Sequence, residues 1–180
     1  MGKIFGALAL SLVSLLAVAA PSQDDSKRIV HGPFENKIYP NSEIYFSESN
    51  DDSRPVHLIV SRMDSKGQQY EQFVDGYELA GGAPHIESLF FHEVNGKTNA
   101  IVIMTWEIHH RAEGVMGNIY QVHAYHDEDG ELVPNDVFTN SGAMSGYEGI
   151  ENGQEITYPL KTSSDVRRYI DEYLNPLHNN

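Results

Sequence analysis

The sequence predicts an α+β domain, mostly antiparallel β-sheet with one C-terminal amphipathic helix packed on it. Three observations carry this. Runs of β-branched and aromatic residues meet in pairs at short turn sequences, a continuous aliphatic run stands at Ala100-Ile101-Val102-Ile103-Met104, and a helical apolar period occurs only near the C-terminus.

The chain opens MGKIFGALALSLVSLLAVAAP: one lysine, an apolar run from Ile4 to about Leu16, then the small residues Ala17-Val18-Ala19-Ala20. That is the layout of a secretory signal peptide, and the run is shorter than the ~20 apolar residues a spanning helix needs. Residues 1–19 are therefore expected to be removed, leaving about 160 residues, one domain by length. No second run is long enough to span, so no membrane insertion is expected after cleavage.

Residues 20–54 are polar and punctuated by Asp24-Asp25, Gly32-Pro33, Pro40-Asn41 and Ser49-Asn50-Asp51-Asp52-Ser53. Around the short alternating pieces Lys37-Ile38-Tyr39 and Glu43-Ile44-Tyr45-Phe46 they predict a loose leader followed by one edge strand. Residues 55–180 predict a single β-rich domain. Val56 to Met63 and Gln69 to Val74 flank the turn Asp64-Ser65-Lys66-Gly67 and predict a hairpin. Ile86 to Glu93 and Ala100 to Trp106 flank Asn95-Gly96 and predict a second, whose aliphatic run belongs to a central strand covered on both faces. Asn118 to His126 predicts a neighbouring strand, turned by Asp127-Glu128-Asp129-Gly130 toward Glu131-Leu132-Val133.

Residues 134–154, rich in Pro, Asn, Ser and Gly, predict a long ordered loop or paired turns before a strand at Glu155-Ile156-Thr157-Tyr158. Last, Val166, Tyr169, Ile170, Tyr173 and Leu174 follow the Ser163-Ser164 cap at helical spacing and stop at Asn175-Pro176, predicting a helix over 164–174.

The chain has no cysteine, which excludes disulfides and thiol metal sites, and no Asn-x-Ser/Thr acceptor. Both absences point toward a bacterial periplasm. The net charge is −14, and losing Lys3 with the leader takes it to −15. Polyanions such as nucleic acid need basic patches, so a basic protein or cationic ligand is the favoured partner.

The segment Thr105-Trp106-Glu107-Ile108-His109-His110-Arg111 gathers the single tryptophan, a carboxylate, two histidines and an arginine. As a strand it alternates, so His109 and His110 face opposite ways and cannot chelate one ion together. A metal set of Glu107, His109 and His123 from the next strand remains open, its register being unfixed. Asp127 to Glu131 lacks the spacing of a twelve-residue calcium loop and predicts a hairpin turn. Ser141-Gly142-Ala143-Met144-Ser145-Gly146 is not a nucleophile elbow between strand and helix, so no catalytic role is assigned and no cofactor is implied.

Two surface segments carry partner-binding candidates: His110, Arg111, Glu113 and Met116 in the loop from 109 to 117, and Asp136, Phe138, Met144, Tyr147, Glu148 and Glu151 in the loop from 135 to 152. Acids mixed with aromatic or Met anchors suit a basic protein partner, whereas Phe138 and Tyr147 tucked into the core would leave only solvated acids.

Leu89 to Ile103, an acidic glycine loop before an aliphatic strand, resembles one FG-GAP or VCBS-type blade segment. That family offers aspartates to calcium; here Glu93, Asn95, Lys97 and Asn99 stand instead, so calcium binding is not carried over. In class and composition, a small, acidic, cysteine-free exported domain resembles the periplasmic immunity proteins that neutralise effectors of contact-dependent or type VI secretion systems. That resemblance implies a binding protein, not an enzyme, which occludes a toxin's active site. A metal-dependent periplasmic enzyme using surface histidines and a cell-envelope structural or stress protein are the alternatives.

Overall fold

The long aliphatic strand and its neighbours build the centre of the molecule. In the computed structural model, which describes residues 28–175, the expected signal peptide and residues 20–27 of the expected leader lie outside the described residues. The described part of that leader is more structured than a single edge strand. β1 (Ile29–Glu35) and β2 (Ser42–Glu48) pair antiparallel, and β2 pairs in turn with β3 (Val56–Met63) and β3 with β4 (Gln69–Tyr77). These form one four-stranded sheet in the order β1-β2-β3-β4.

The second sheet is built on β5 (His85–Val94), β6 (Lys97–His110) and β7 (Val115–Glu128), with β9 (Ser145–Glu151) and β10 (Gln154–Ile156) continuing it in the order β10-β9-β7-β6-β5. β8 (Glu131–Pro134) pairs with the far end of β7. Both sheets are antiparallel throughout. The turns joining β5 to β6, β7 to β8 and β9 to β10 each place two central residues at positive φ: Asn95 and Gly96 at 50° and 76°, Asp129 and Gly130 at 51° and 89°, Asn152 and Gly153 at 52° and 78°. This is the mirror-image turn whose twist matches that of the strands, and Asn-Gly and Asp-Gly accept it with least steric cost.

The sheets pack face to face. Ile44, Phe46, Leu58 and Val60 of the first meet Ala100, Val102, Met104 and Trp106 of the second in one buried cluster. The opposite face of the second sheet, through Ile101, Ile103, Val122 and Ala124, packs on Phe138, Met144, Leu160, Val166 and Ile170. β6 is thus covered on both faces, which is why its run from Ala100 is apolar without alternation. The lower layer consists of the short helix α1 (Asp136–Thr139), a 3-10 turn at Gly142–Met144, and the helix α2 (Ser163–Tyr169), which passes into a π-turn at Ile170–Leu174. Buried Asn99 accepts a hydrogen bond from Asn135 Nδ2 at 2.8 Å, while the Asn135 amide donates to the Ala124 carbonyl and its Oδ1 caps Val137, fixing α1 beneath β7. The fold is therefore α+β and mostly antiparallel β, with a C-terminal helix packed on the sheet.

Two expectations change. Residues 134–154 are not one loop, since β9 runs seven residues along β7 within them. The expected recognition loop from 109 to 117 is also largely strand: His109 and His110 pair with Met116 and Val115, and a 3-10 turn at Arg111–Glu113 closes the hairpin.

Candidate functional site

The β6–β7 hairpin is fourteen residues on each side, longer than the strands that cover it, so its closed end projects beyond the lower layer with β9 and β10 alongside. Cross-strand partners share a face. One face of this end carries the row His109, Met116 and Ile150; the other carries His110, Val115 and Glu151. Met116 and Ile150, directly paired, are 44% and 49% exposed, an apolar pair on an otherwise polar surface. Glu107, Glu113 and Glu155 around them are exposed, as is Glu151 on the other face.

Most of the expected binding residues meet here: His110, Glu113, Met116, Tyr147, Glu148 and Glu151, with the backbone of Arg111 in the closing turn. Two of these have internal duties. Glu148 receives the Tyr158 amide at 2.7 Å and the Lys161 ammonium at 2.5 Å, contacts that hold its carboxyl below the ordinary range. Tyr147 is half-buried, its hydroxyl donating to the Ile150 carbonyl at 2.9 Å.

Three expected partners lie elsewhere. Asp136, Phe138 and Met144 belong to the lower layer: α1 lies near Ala124, roughly 25 Å along β7 from Met116 by the rise of eight strand residues, and Met144 precedes Ser145, the partner of Gln121, roughly 17 Å from Met116. Asp136 is exposed on α1, but Phe138 and Met144 are buried in the core at 2% and 3% exposure. They are packing residues and cannot be surface anchors.

The metal set separates as well. Glu107 and His109 contact each other at 2.6 Å, one position removed from Trp106, which faces the inter-sheet core. His123 is paired with Val102, five residues along β6 from Glu107 and so roughly 17 Å away. It also faces the opposite side of the sheet, packing edge-on to Tyr77 with ring centroids 5.4 Å apart. The register that would have joined the three is excluded. Among the described residues no three His, Asp or Glu side chains converge as a metal site.

No family model, curated protein or solved structure matches this chain.

A cleft lies where β4 closes over the inner face of β7. It encloses about 380 Å³ and is lined by Arg54, Asp75, Tyr77, Glu78, Leu79, Trp106, Ile119, Gln121 and His123 among others. A β-bulge in β4 between the partners of Leu58 and Ile59 turns Asp75 inward. There its Oδ2 accepts from the Tyr125 hydroxyl at 2.7 Å, and Tyr125 and Tyr77 share a hydroxyl–hydroxyl bond of 2.9 Å. Both tyrosines are buried, at 0% and 3% exposure. Burial pushes both phenols up and holds the His123 imidazole below its ordinary value, against the raising pull of Asp75.

Asp75, Tyr77 and Gln121 were not singled out in the sequence. The signal was available: Gln121, His123 and Tyr125 recur with period two on a strand whose alternate positions, Val122 and Ala124, are apolar. From Ile119 to Tyr125 both faces of β7 are packed, so the polar side chains there line an interior and not a solvent face.

Proposed function

We propose that this protein is an exported periplasmic binding protein of the immunity or inhibitor kind, which occludes a basic effector or enzyme with the projecting end of its second sheet. The observation that carries the reading is the exposed Met116–Ile150 pair ringed by Glu107, Glu113 and Glu155, with Glu151 on the reverse face of the same end. An apolar anchor within a rim of one charge is what a specific protein interface requires: the anchor supplies affinity on desolvation and the acids set approach rate and partner choice. A net charge of −14 adds long-range attraction for a cationic surface. The leader's layout supports export, and the lack of cysteine suits a domain that folds on its core alone.

The test pairs the mature protein with the product of a neighbouring secreted-effector gene. Affinity is measured for the wild type, for Met116→Asp, and for the double variant Glu113→Lys and Glu155→Lys. The anchor variant should bind at least about tenfold more weakly, and the charge variant should associate more slowly with a flatter salt dependence. Wild-type affinity in both variants would remove this end of the sheet from the interface.

A further inference from the structure

We propose that the cleft between β4 and β7 is a binding site for a small organic cation, a protonated amine or guanidinium on a short aliphatic stem, with Asp75 as its counter-ion.

Asp75 is a half-buried carboxylate held in a fixed orientation. Its Oδ1 accepts from the Gly76 amide at 2.8 Å and its Oδ2 from Tyr125, itself tied to Tyr77. The bulge in β4 exists at the point that turns this side chain inward, and bulges of this kind commonly re-aim a side chain beside a functional site. Yet among the described residues no lysine or arginine forms an ion pair with it. Arg54, which lines the same cleft, pairs with Glu78 at 3.6 Å. The adjoining imidazole, His123, is kept neutral near pH 7 by its burial and so supplies no charge.

A carboxylate drawn from water without a counter-ion is costly, and the hydrogen bonds that orient it do not neutralise it. The remaining walls say what kind of cation fits. Leu79, Ile119 and Trp106 give apolar surface for a stem, and Tyr77 and Trp106 supply rings beside which a cation is favoured. About 380 Å³ accommodates a chain of a few heavy atoms with its head group, at the small end of ligand sites. Asp75 and Glu78 outweigh Arg54 in charge, so anions are disfavoured.

The same head group can belong to a free amine or to a lysine side chain of a protein, and the experiment separates them. Trp106 is the only tryptophan and lines the cleft, so its emission reports occupancy directly. The mature protein is titrated with n-butylamine, with butylguanidinium, with a Gly-Lys-Gly peptide blocked at both ends, and with n-butanol and butyrate as controls. A saturable change with a cationic probe and none with the controls is expected; response to the peptide alone identifies a protein side chain as the source, and response to the free amines identifies a small molecule. Asp75→Asn should weaken the response about tenfold or more. Gln121→Lys, which places an ammonium of the protein's own in the cleft, should abolish it with the thermal transition retained. Absence of any saturable response to the three cations, or an undiminished response in folded Asp75→Asn, would overturn the proposal. The outcome is independent of the projecting end, whose variants leave this cleft intact.

Discussion

Arg167 of α2 donates through Nη1 to the Nδ1 of His92 on β5 at 3.0 Å, and the other ring nitrogen of His92, Nε2, lies 2.7 Å from the Asp171 carboxylate. The same guanidinium nitrogen donates to the Phe91 carbonyl at 2.9 Å, and the group lies 4.5 Å over the Phe90 ring. Farther on, Asn175 donates to the Glu93 carbonyl and accepts from the Asn95 amide. The C-terminal helix is therefore clamped to β5 by polar contacts as well as by burial of Val166 and Ile170.

Arg167→Ala removes three of these contacts at once and should cost about 1–2 kcal/mol, a fall of roughly 2–8 °C in Tm for a domain of this size. Arg168→Ala, which loses only an exposed i,i+3 pair with Asp165, should change stability by about 0.5 kcal/mol or less. Thermal unfolding followed by circular dichroism distinguishes them. Equal losses would mean that the clamp contributes nothing beyond an ordinary surface pair.

Phe138 and Met116 are both apolar candidates in the sequence, and the fold gives them opposite roles. Phe138, 2% exposed against Ile101 and Val122, should cost about 3–5 kcal/mol as Phe138→Ala. Met116→Ala, at 44% exposure, should stay within about 0.5 kcal/mol of wild type. Urea denaturation of the two variants settles the assignment, and a large loss in Met116→Ala would place that side chain in the core.

Acid should weaken the fold in two stages. His123 and His31 are held below the ordinary 6.5 by burial, His31 also by neighbouring His85. Above 6.5 both folded and unfolded rings are neutral and contribute no pH dependence. As pH falls through 6.5 the unfolded chain takes up protons that the folded chain refuses, so stability declines until the folded rings titrate. Glu148 and Asp165, lowered by hydrogen bonds from Lys161 and Thr162 respectively, add a second decline as pH falls through 4.5 and 3.8. His123→Gln should flatten the first stage and leave the second. A urea midpoint in that variant with the wild-type slope between pH 7 and 5 would contradict this.

The hairpins were legible because Asn-Gly and Asp-Gly fix local geometry, and α2 because Val166 and Ile170 repeat at helical spacing. The central strand was legible from Ala100 to Met104 for the same reason: burial on both faces leaves a compositional mark. What stayed hidden depended on partners. Whether His123 neighbours Glu107 is decided by the register of β6 and β7, and alternation gives each strand's faces but not which face is inward. The inward turn of Asp75 depends on a bulge whose only trace is a count of residues against β3. β9, Ser-Gly-Tyr-Glu-Gly-Ile-Glu, has the composition of a loop and becomes a strand only through β7.

That composition has its own consequence. Gly149 lies at φ +154°, and a Cβ there would stand 2.4 Å from the Met116 carbonyl oxygen; on its partner Gly117 a Cβ would stand 2.1 Å from that of Glu148. The two strands approach so closely at this pair that Tyr147 folds its hydroxyl over both glycines, replacing with an aromatic the side chains they lack. The nearest atoms in each case are backbone, which cannot swing aside as the Tyr147 hydroxyl can, so Gly117→Ala must push β9 from β7. The expected cost is about 2–4 kcal/mol, confined at first to the projecting end. Hydrogen exchange should lose protection at residues 145–156 while Ile101 to Met104 remain protected. Uniform loss across both sheets would mean that β9 is integral to the core, whereas unchanged protection would mean that the strands have room to spare.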